Sequence, residues 1–248
     1  MKFDFHGKTI LVTGGCTGIG LSISKMYLSL GGFVISTYND SEKEGELLKE
    51  YILKENFKGE VLKLNLESIC DIENFLENLK EKNLNNIDIL INNSGIDDIN
   101  PLIFQEDEKI LSMININFSN TIIFTKYILK DFMEENSCII NISSIWGRVG
   151  ASCEVVYSST KGGINLFTKS LAKEMECKNI KVIGVSPGII NTKINSHLSQ
   201  EELEEIKKEI PLGRIGEVKD ITNAIMFLSS DYFNVSGEII NIDGGWMM

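Results

Sequence analysis

The sequence predicts an α/β protein of one domain, a doubly wound parallel sheet of seven strands with helices on both faces. Three observations lead there. Short β-branched runs alternate with longer amphipathic stretches from one end of the chain to the other, the pattern of βαβ units. Several short runs are apolar almost throughout, as in Ile87-Asp88-Ile89-Leu90-Ile91, which suits strands covered on both faces. The length of 248 residues is what one such sheet takes, because a single α/β domain commonly reaches roughly 250 residues.

In chain order, a first strand is expected over 9–13, leading through a glycine-rich turn into a helix over 20–30. A strand over 33–38 and a helix over 42–54 form the second unit, and a strand over 61–66 with a helix over 69–82 the third. The fourth strand, over 87–92, precedes a helical pattern running from 106 to 133. Strands over 138–142 and 181–185 flank a helix over 155–177, and a helix over 219–229 leads to the last strand, over 238–242. Ser199 followed by Glu202 reads as a capping box, hydroxyl and carboxylate each satisfying a free backbone N–H, and opens a charged helix over 200–208. That segment reads either as a solvated surface helix or as part of a substrate lid at about 190–212. No repeat, linker or composition break divides the chain, so residues 1–248 are expected to form one unit.

Composition narrows the chemistry. Against 35 Asp and Glu stand 24 Lys and Arg, a net charge of −11, and no basic run is present to neutralise phosphates, so nucleic acid is not an expected partner. The first residues lack an apolar leader core and no stretch approaches ~18 uncharged apolar residues. Neither secretion nor a membrane span is expected, and a cytoplasmic location follows. Cys16, Cys70, Cys138, Cys153 and Cys177 are odd in number, widely spaced and without C-x-x-C, which fits reduced thiols better than disulfides or zinc, and no metal is expected. The only histidines, His6 near the N-terminus and His197 in a polar stretch beside Asn195 and Ser196, read as surface residues. Hydrolases that activate Ser or Cys through His are thereby disfavoured, and the chemistry must come from other side chains.

The first strand runs into Thr13-Gly14-Gly15-Cys16-Thr17-Gly18-Ile19-Gly20 and then a helix. Glycines in such a turn let the backbone approach a pyrophosphate, whose charge is met by N–H groups at the helix N-terminus, as in a Rossmann fold. Farther on, Tyr157 and Lys161 lie four apart on one helical face, and Tyr157 is the only tyrosine with Lys at that offset. An ammonium so placed would favour phenolate and lower a pKa that starts at about 10. A phenol tuned in this way serves as general acid or base near neutral pH.

The T-G-x-x-x-G-x-G spacing differs from the G-x-G-x-x-G of most Rossmann dehydrogenases and resembles that of the short-chain dehydrogenases/reductases. Other motifs of that family follow in order. Asn92-Asn93-Ser94-Gly95 closes the fourth strand, with Ser for the usual Ala, and Asn117 sits in the next helix. Ser144 follows the fifth strand, Tyr157 and Lys161 make Y-x-x-x-K, and Pro187-Gly188 and Asp243-Gly244-Gly245 follow the last two strands. The resemblance covers essentially the whole chain. It implies hydride transfer between a nicotinamide and a carbonyl carbon, with Tyr157 giving the oxygen a proton and Ser144 hydrogen-bonding it. By the same resemblance Lys161 binds the nicotinamide ribose and depresses the Tyr157 pKa, while Asn117 holds a water linking Lys161 to solvent. The family's usual gap to the tyrosine selects Ser144 over Ser143.

Further cofactor positions are implied at Gly14, Cys16, Thr17, Gly18, Ile19 and Gly20 in the turn, at Thr37, and at Asn65, Leu66, Asn93 and Gly95 along the adenosine half. Tyr157 and Lys161 border the nicotinamide, with Pro187, Gly188, Ile190 and Thr192 beside its carboxamide. Asn65 stands where the family more often has Asp. An acidic side chain ending the second strand would select NAD(H). Thr37 occupies that position, while Cys16 and Thr17 stand where an Arg would select NADP(H), with Asp40 close by. NADP(H) is favoured over NAD(H).

Pro211-Leu212-Gly213-Arg214 and Ser236-Gly237 resemble the 3-oxoacyl-acyl-carrier-protein reductases. More narrowly, Ser144-Ile145-Trp146-Gly147, the stretch from Gly150 to Val155 and Gly244-Gly245-Trp246 resemble bacterial reductases that act on 5-aminopentanone-modified elongation factor P. The expected substrate is a ketone, either a small molecule or borne on a carrier or protein. Glu154 either pairs with an amine on that substrate or is a first-turn carboxylate favoured by the helix dipole. Trp146 either walls the pocket or packs as core, and Cys153 is either redox-sensitive or a small residue at a helix start. The family resemblance implies a homotetramer or homodimer. A competing reading is a regulatory protein that binds a dinucleotide without turnover, against which Asn117, Ser144, Tyr157 and Lys161 all weigh.

Overall fold

The computed structural model describes residues 3–192 and 199–247. Its described strands are β1 (Thr9–Val12), β2 (Phe33–Tyr38), β3 (Gly59–Lys63), β4 (Ile89–Asn92), β5 (Cys138–Ile142), β6 (Lys181–Pro187) and β7 (Ile239–Ile242). All pair in parallel, in the order β3-β2-β1-β4-β5-β6-β7. The chain builds outward from β1 to β3, then crosses back to β4 and builds the other way. The reversal leaves a crevice at the carboxyl ends of β1 and β4, the place where open α/β sheets take their ligands.

The helices are α1 (Gly18–Ser29), α2 (Glu42–Lys54), α3 (Ile69–Glu81), α4 (Asp107–Ile114), α5 (Asn120–Asp131), α6 (Trp146–Val149), α7 (Val155–Glu174), α8 (Gln200–Glu209) and α9 (Val218–Ser229). Side chains alternate across a strand, so each strand feeds two cores. Ile10, Val12, Ile89, Ile91 and Ile140 join Ile23 and Tyr27 of α1, Leu48 of α2 and Ile225 of α9 on one face. Leu11, Leu90 and Ile139 join Phe75 of α3, Phe124 of α5 and Leu171 of α7 on the other. Each such side chain contributes about 1.5–3 kcal/mol on leaving water. Tyr27 is wholly buried, and its hydroxyl donates to Ser229 Oγ at 2.7 Å, which meets its one polar need.

The expected α/β architecture is present, and the differences have local causes. The third strand ends at Lys63 instead of running to 66, because Asn65 Oδ1 accepts from Glu67 N at 3.0 Å and turns the chain into α3. The helix expected over 106–133 runs from Asp107 to Asp131, with a π-helical turn at Asn115–Ser119 joining α4 to α5. There Asn117 turns its amide sideways, accepting from Ile96 N at 2.8 Å and donating to Ile96 O at 2.7 Å. The helix expected to reach 177 ends at Glu174, followed by a 3₁₀ turn and by Asn179 in the left-handed region (φ 52°). The capping box is as expected, with Glu202 N donating to Ser199 Oγ and Ser199 N to Glu202 Oε2. Part of the 190–212 span, and with it His197, Asn195 and Ser196, lies outside the described residues. His6 is exposed, its ring hydrogen-bonded to Asp4. No described helix is long and apolar enough to cross a membrane.

Candidate active site

The glycine turn is braced from beneath. Thr13 Oγ1 accepts from Asn93 N (2.9 Å) and Ser94 N (3.0 Å), while Asn93 Nδ2 donates to Thr13 O (2.9 Å) and Gly14 O (3.2 Å). Gly14 N donates in turn to Thr37 Oγ1 at 3.1 Å, so the buried Thr37 hydroxyl is spent on holding the turn. Gly14 and Gly18 have φ of 62° and 49°, a region costly for other residues. A Cβ on Gly20 would stand 2.1 Å from Gly14 O. Above this brace α1 begins with an extended Thr17 that makes no side-chain cap, and with no acidic residue in its first turn. Its opening N–H groups and the positive end of its dipole are matched to an anion, and a Cβ at Gly18 would point into open space. The turn fits a dinucleotide pyrophosphate.

The chemical end is built by β5, α6 and α7. Ser144 is buried just past β5, its Oγ accepting from Trp146 N at 3.2 Å. Lys161 is buried on α7, its Nζ 2.9 Å from Ile142 O and 5.6 Å from the centre of the Tyr157 ring. A Cβ on Gly147 would meet Lys161 C at 2.6 Å, so this glycine is what lets α6 lie against α7 at the lysine. Burial pulls the Lys161 ammonium down from its ordinary value to about 8. The expected depression of the Tyr157 pKa is reversed. Burial raises it, Ser144 hydrogen bonding pulls it partly back, and the charges of Glu154 and Asp97 raise it further. Desolvating a phenol penalises the phenolate, and burial is the largest cause here. The group is therefore held protonated.

These residues share one cleft of about 860 Å³. Gly14, Cys16, Thr17, Gly18, Ile19 and Gly20 line one end with Thr37, Asn65 and Leu66. Asn93 and Gly95 line the middle, and Ser144, Trp146, Glu154, Tyr157, Lys161, Pro187, Gly188, Ile190 and Thr192 the far end. Asn117 stands outside this lining, buried behind the Gly95–Ile96 backbone it holds; a Cβ on Gly95 would lie 3.3 Å from Asn117 Oδ1 and 3.5 Å from Lys161 Nζ. Cys16 lines the cleft with its side chain buried in the core cluster beneath the turn, its thiol pushed up to about 12 by burial. The described cysteines are all free, and no cluster of three or more His, Cys, Asp or Glu among the described residues is placed to hold a metal.

Of the open alternatives, Trp146 lines the cleft half-buried, and the Glu154 carboxylate lines it too, making no capping hydrogen bond to α7. Cys153 is partly buried with φ 64°, and its carbonyl accepts from Asn100 N at 2.9 Å, tying the loop after β4 to the loop before α7. Sequence reasoning missed Asp97, which carries no motif, and it noted Trp246 only within the Gly244-Gly245-Trp246 resemblance, without its contact to the Trp146 ring a hundred residues away. It also missed Glu44, which with Asp40 borders the turn end of the cleft.

A family model described as short chain dehydrogenase matches residues 8–203. Among curated proteins, the chain is similar to the 3-oxoacyl-acyl-carrier-protein reductase FabG of Haemophilus influenzae. The two are 37% identical over 242 residues, 97% of this chain and 98% of that one. Among solved structures it is similar to a short-chain dehydrogenase/reductase of Brucella melitensis, with a TM-score of 0.92, 30% identity and 100% of both chains covered. It is also similar to the angucycline C-6 ketoreductase LanV with bound NADP, with a TM-score of 0.90 and 25% identity over 99% of this chain and 97% of that one.

Proposed function

The chain belongs to the short chain dehydrogenase family, and on that premise we propose that it reduces a ketone to a secondary alcohol with Tyr157 as proton donor. The observation that carries the reading is the meeting of Ser144, Tyr157 and Lys161 in the same cleft as the glycine turn. A bound nicotinamide dinucleotide would supply the hydride. Gly14, Cys16, Thr17, Gly18, Ile19 and Gly20 would hold its pyrophosphate, Asn65, Leu66, Asn93 and Gly95 its adenosine half, and Pro187, Gly188, Ile190 and Thr192 its nicotinamide half. Tyr157, kept protonated by burial, gives its proton to the carbonyl oxygen as charge develops there, and the Ser144 hydroxyl hydrogen-bonds the same oxygen. Lys161, cationic below about pH 8, stabilises the phenolate that remains. Asn117 fixes the Gly95–Ile96 segment beside Lys161, where a water would pass the proton back from solvent.

NADP(H) is the cofactor we infer, supported by the uncharged Thr37 at the end of β2 and by the NADP bound in LanV. Asp40 and Glu44 border the same end, so the ratio of kcat/KM for NADPH and NADH is the deciding measurement. Two substrate classes enter the proposal for the far end. Similarity over nearly the full length to FabG supports a 3-oxoacyl group borne on acyl carrier protein. Glu154 and Asp97, whose charges reach the Tyr157 hydroxyl, support an amine-bearing ketone such as 5-aminopentanone-modified elongation factor P. Comparing an acetoacetyl thioester with the modified factor separates them, and Glu154→Gln should weaken the second alone. Assembly as a homotetramer or homodimer belongs to the same reading, supported by the exposed Leu111 of α4 and Leu166 of α7, and light scattering measures it. The central test is Tyr157→Phe: turnover should fall at least ~100-fold while dinucleotide binding persists, and full activity would overturn the mechanism.

A further inference from the structure

Trp246 follows β7 on the segment 243–247, which folds back over the chemical end of the cleft. Asp243 accepts from Gly245 N (2.9 Å) and Met247 N (3.2 Å), which curls the segment. Arg148 of α6 donates from Nη1 to Met247 O at 2.9 Å, and Leu212 N donates to Gly244 O at 3.2 Å. Gly244 has φ 68°, and a Cβ there would meet Ile210 Cγ2 at 2.7 Å, so the close approach to the end of α8 needs glycine. The Trp246 indole then meets Trp146 edge-on, centroids 5.5 Å apart at 62°, and its Nε1–H donates to Glu209 Oε2 of α8 at 3.1 Å. Both indoles line the cleft that holds Ser144 and Tyr157, alongside Ile96 and Ile99, which are 39% and 50% exposed.

We infer that Trp246 is a substrate-contact residue, the outer part of an apolar wall against which a flat or extended substituent of the ketone packs, and that Glu209 is the positioning residue that aims it. The inference rests on the ketone-reductase reading and adds to it the residues that select the substituent. An indole presents a wide rigid surface with few torsions to freeze, so its contribution falls on binding of the substituent and hardly at all on the proton transfer at Tyr157. The tie to Glu209 makes that selection depend on where α8 sits.

The test uses the full chain with NADPH and two ketones of the same chemistry, ethyl acetoacetate and ethyl benzoylacetate, which differ by methyl against phenyl. Trp246→Ala should raise KM for ethyl benzoylacetate about 3- to 10-fold, the range of a lost aromatic contact, with kcat and the KM for ethyl acetoacetate within about 2-fold of wild type. Trp246→Phe should keep most of the contact. Glu209→Ala should show part of the Trp246→Ala effect and Glu209→Gln, which keeps an acceptor, should restore wild-type behaviour. The chain's two tryptophans are both in this pair, so tryptophan emission reports the wall directly and should shift in Glu209→Ala but not in Glu209→Gln. Wild-type turnover with an unchanged KM ratio in Trp246→Ala overturns this inference and leaves the function standing. No ketone turnover by wild type overturns both.

Discussion

Replacing Lys161 with Met removes a buried ammonium, and the energetic burden of that ammonium can be read from the pH dependence of stability. Lys161 is 4% exposed, and burial brings it from 10.5 to about 8. Between those values the unfolded chain holds a proton that the folded chain has released, so stability rises with pH across the window. Below about 8 both states are protonated and the burden is constant. The full shift corresponds to about 3 kcal/mol. Other groups slope the opposite way: burial raises Cys16, Cys138, Tyr27 and Tyr157, which withdraw stability as pH climbs through their ordinary values. These groups are common to wild type and Lys161→Met, so the difference between the two isolates the lysine. The hydrogen bond from Nζ to Ile142 O offsets that difference without sloping it. Urea unfolding of dinucleotide-free protein at several pH values should show the difference moving in favour of wild type by about 3 kcal/mol from pH 8 to 10.5, and level below pH 8. A difference that stays flat across the window would refute the argument that desolvation governs this site.

Gly20→Ala drives a Cβ to 2.1 Å from Gly14 O and should cost about 2 kcal/mol, while Gly18→Ala, strained only by its φ of 49°, should cost about 1 kcal/mol. Thermal melts of the pair check this, and a larger loss for Gly18→Ala would contradict it. Asn117→Ala removes both amide contacts to Ile96 and should cost about 2 kcal/mol in urea unfolding, with a drop in kcat as the segment beside Lys161 loosens. Thr37→Val takes the acceptor from Gly14 N and should raise KM for NADPH and NADH alike, by about 5-fold; an effect on one cofactor alone would show that Thr37 selects rather than braces.

The features readable in the sequence are the local ones. The βαβ order follows from hydrophobic period, the glycine turn from its place between β1 and α1, and the Tyr157–Lys161 pairing from an offset of four on α7. The π turn at Asn115–Ser119 was hidden, because both α4 and α5 carry helical pattern and the partner of Asn117 in it, Ile96, lies 21 positions away. The end of β3 was misplaced because the apolar Leu64 and Leu66 continue the strand pattern while the side chain of Asn65 turns the backbone.

By itself the sequence determined the fold class, the order of the units and the offset between Tyr157 and Lys161, since each depends on neighbours within a few positions or on spacing along one element; the other expected site residues came from the family resemblance. Tertiary structure alone decided the state and the surroundings of those groups. Whether Tyr157 is raised or lowered depends on how much water burial removes and on the charges of Glu154 and Asp97, and neither the burial nor the approach of Asp97 is encoded by an offset along α7. Whether Trp246 belongs to the site depends on a segment crossing from β7 to α6 and α8. Periodicity registers which face of an element is apolar, whereas desolvation and contacts across a hundred residues are set only when the faces meet.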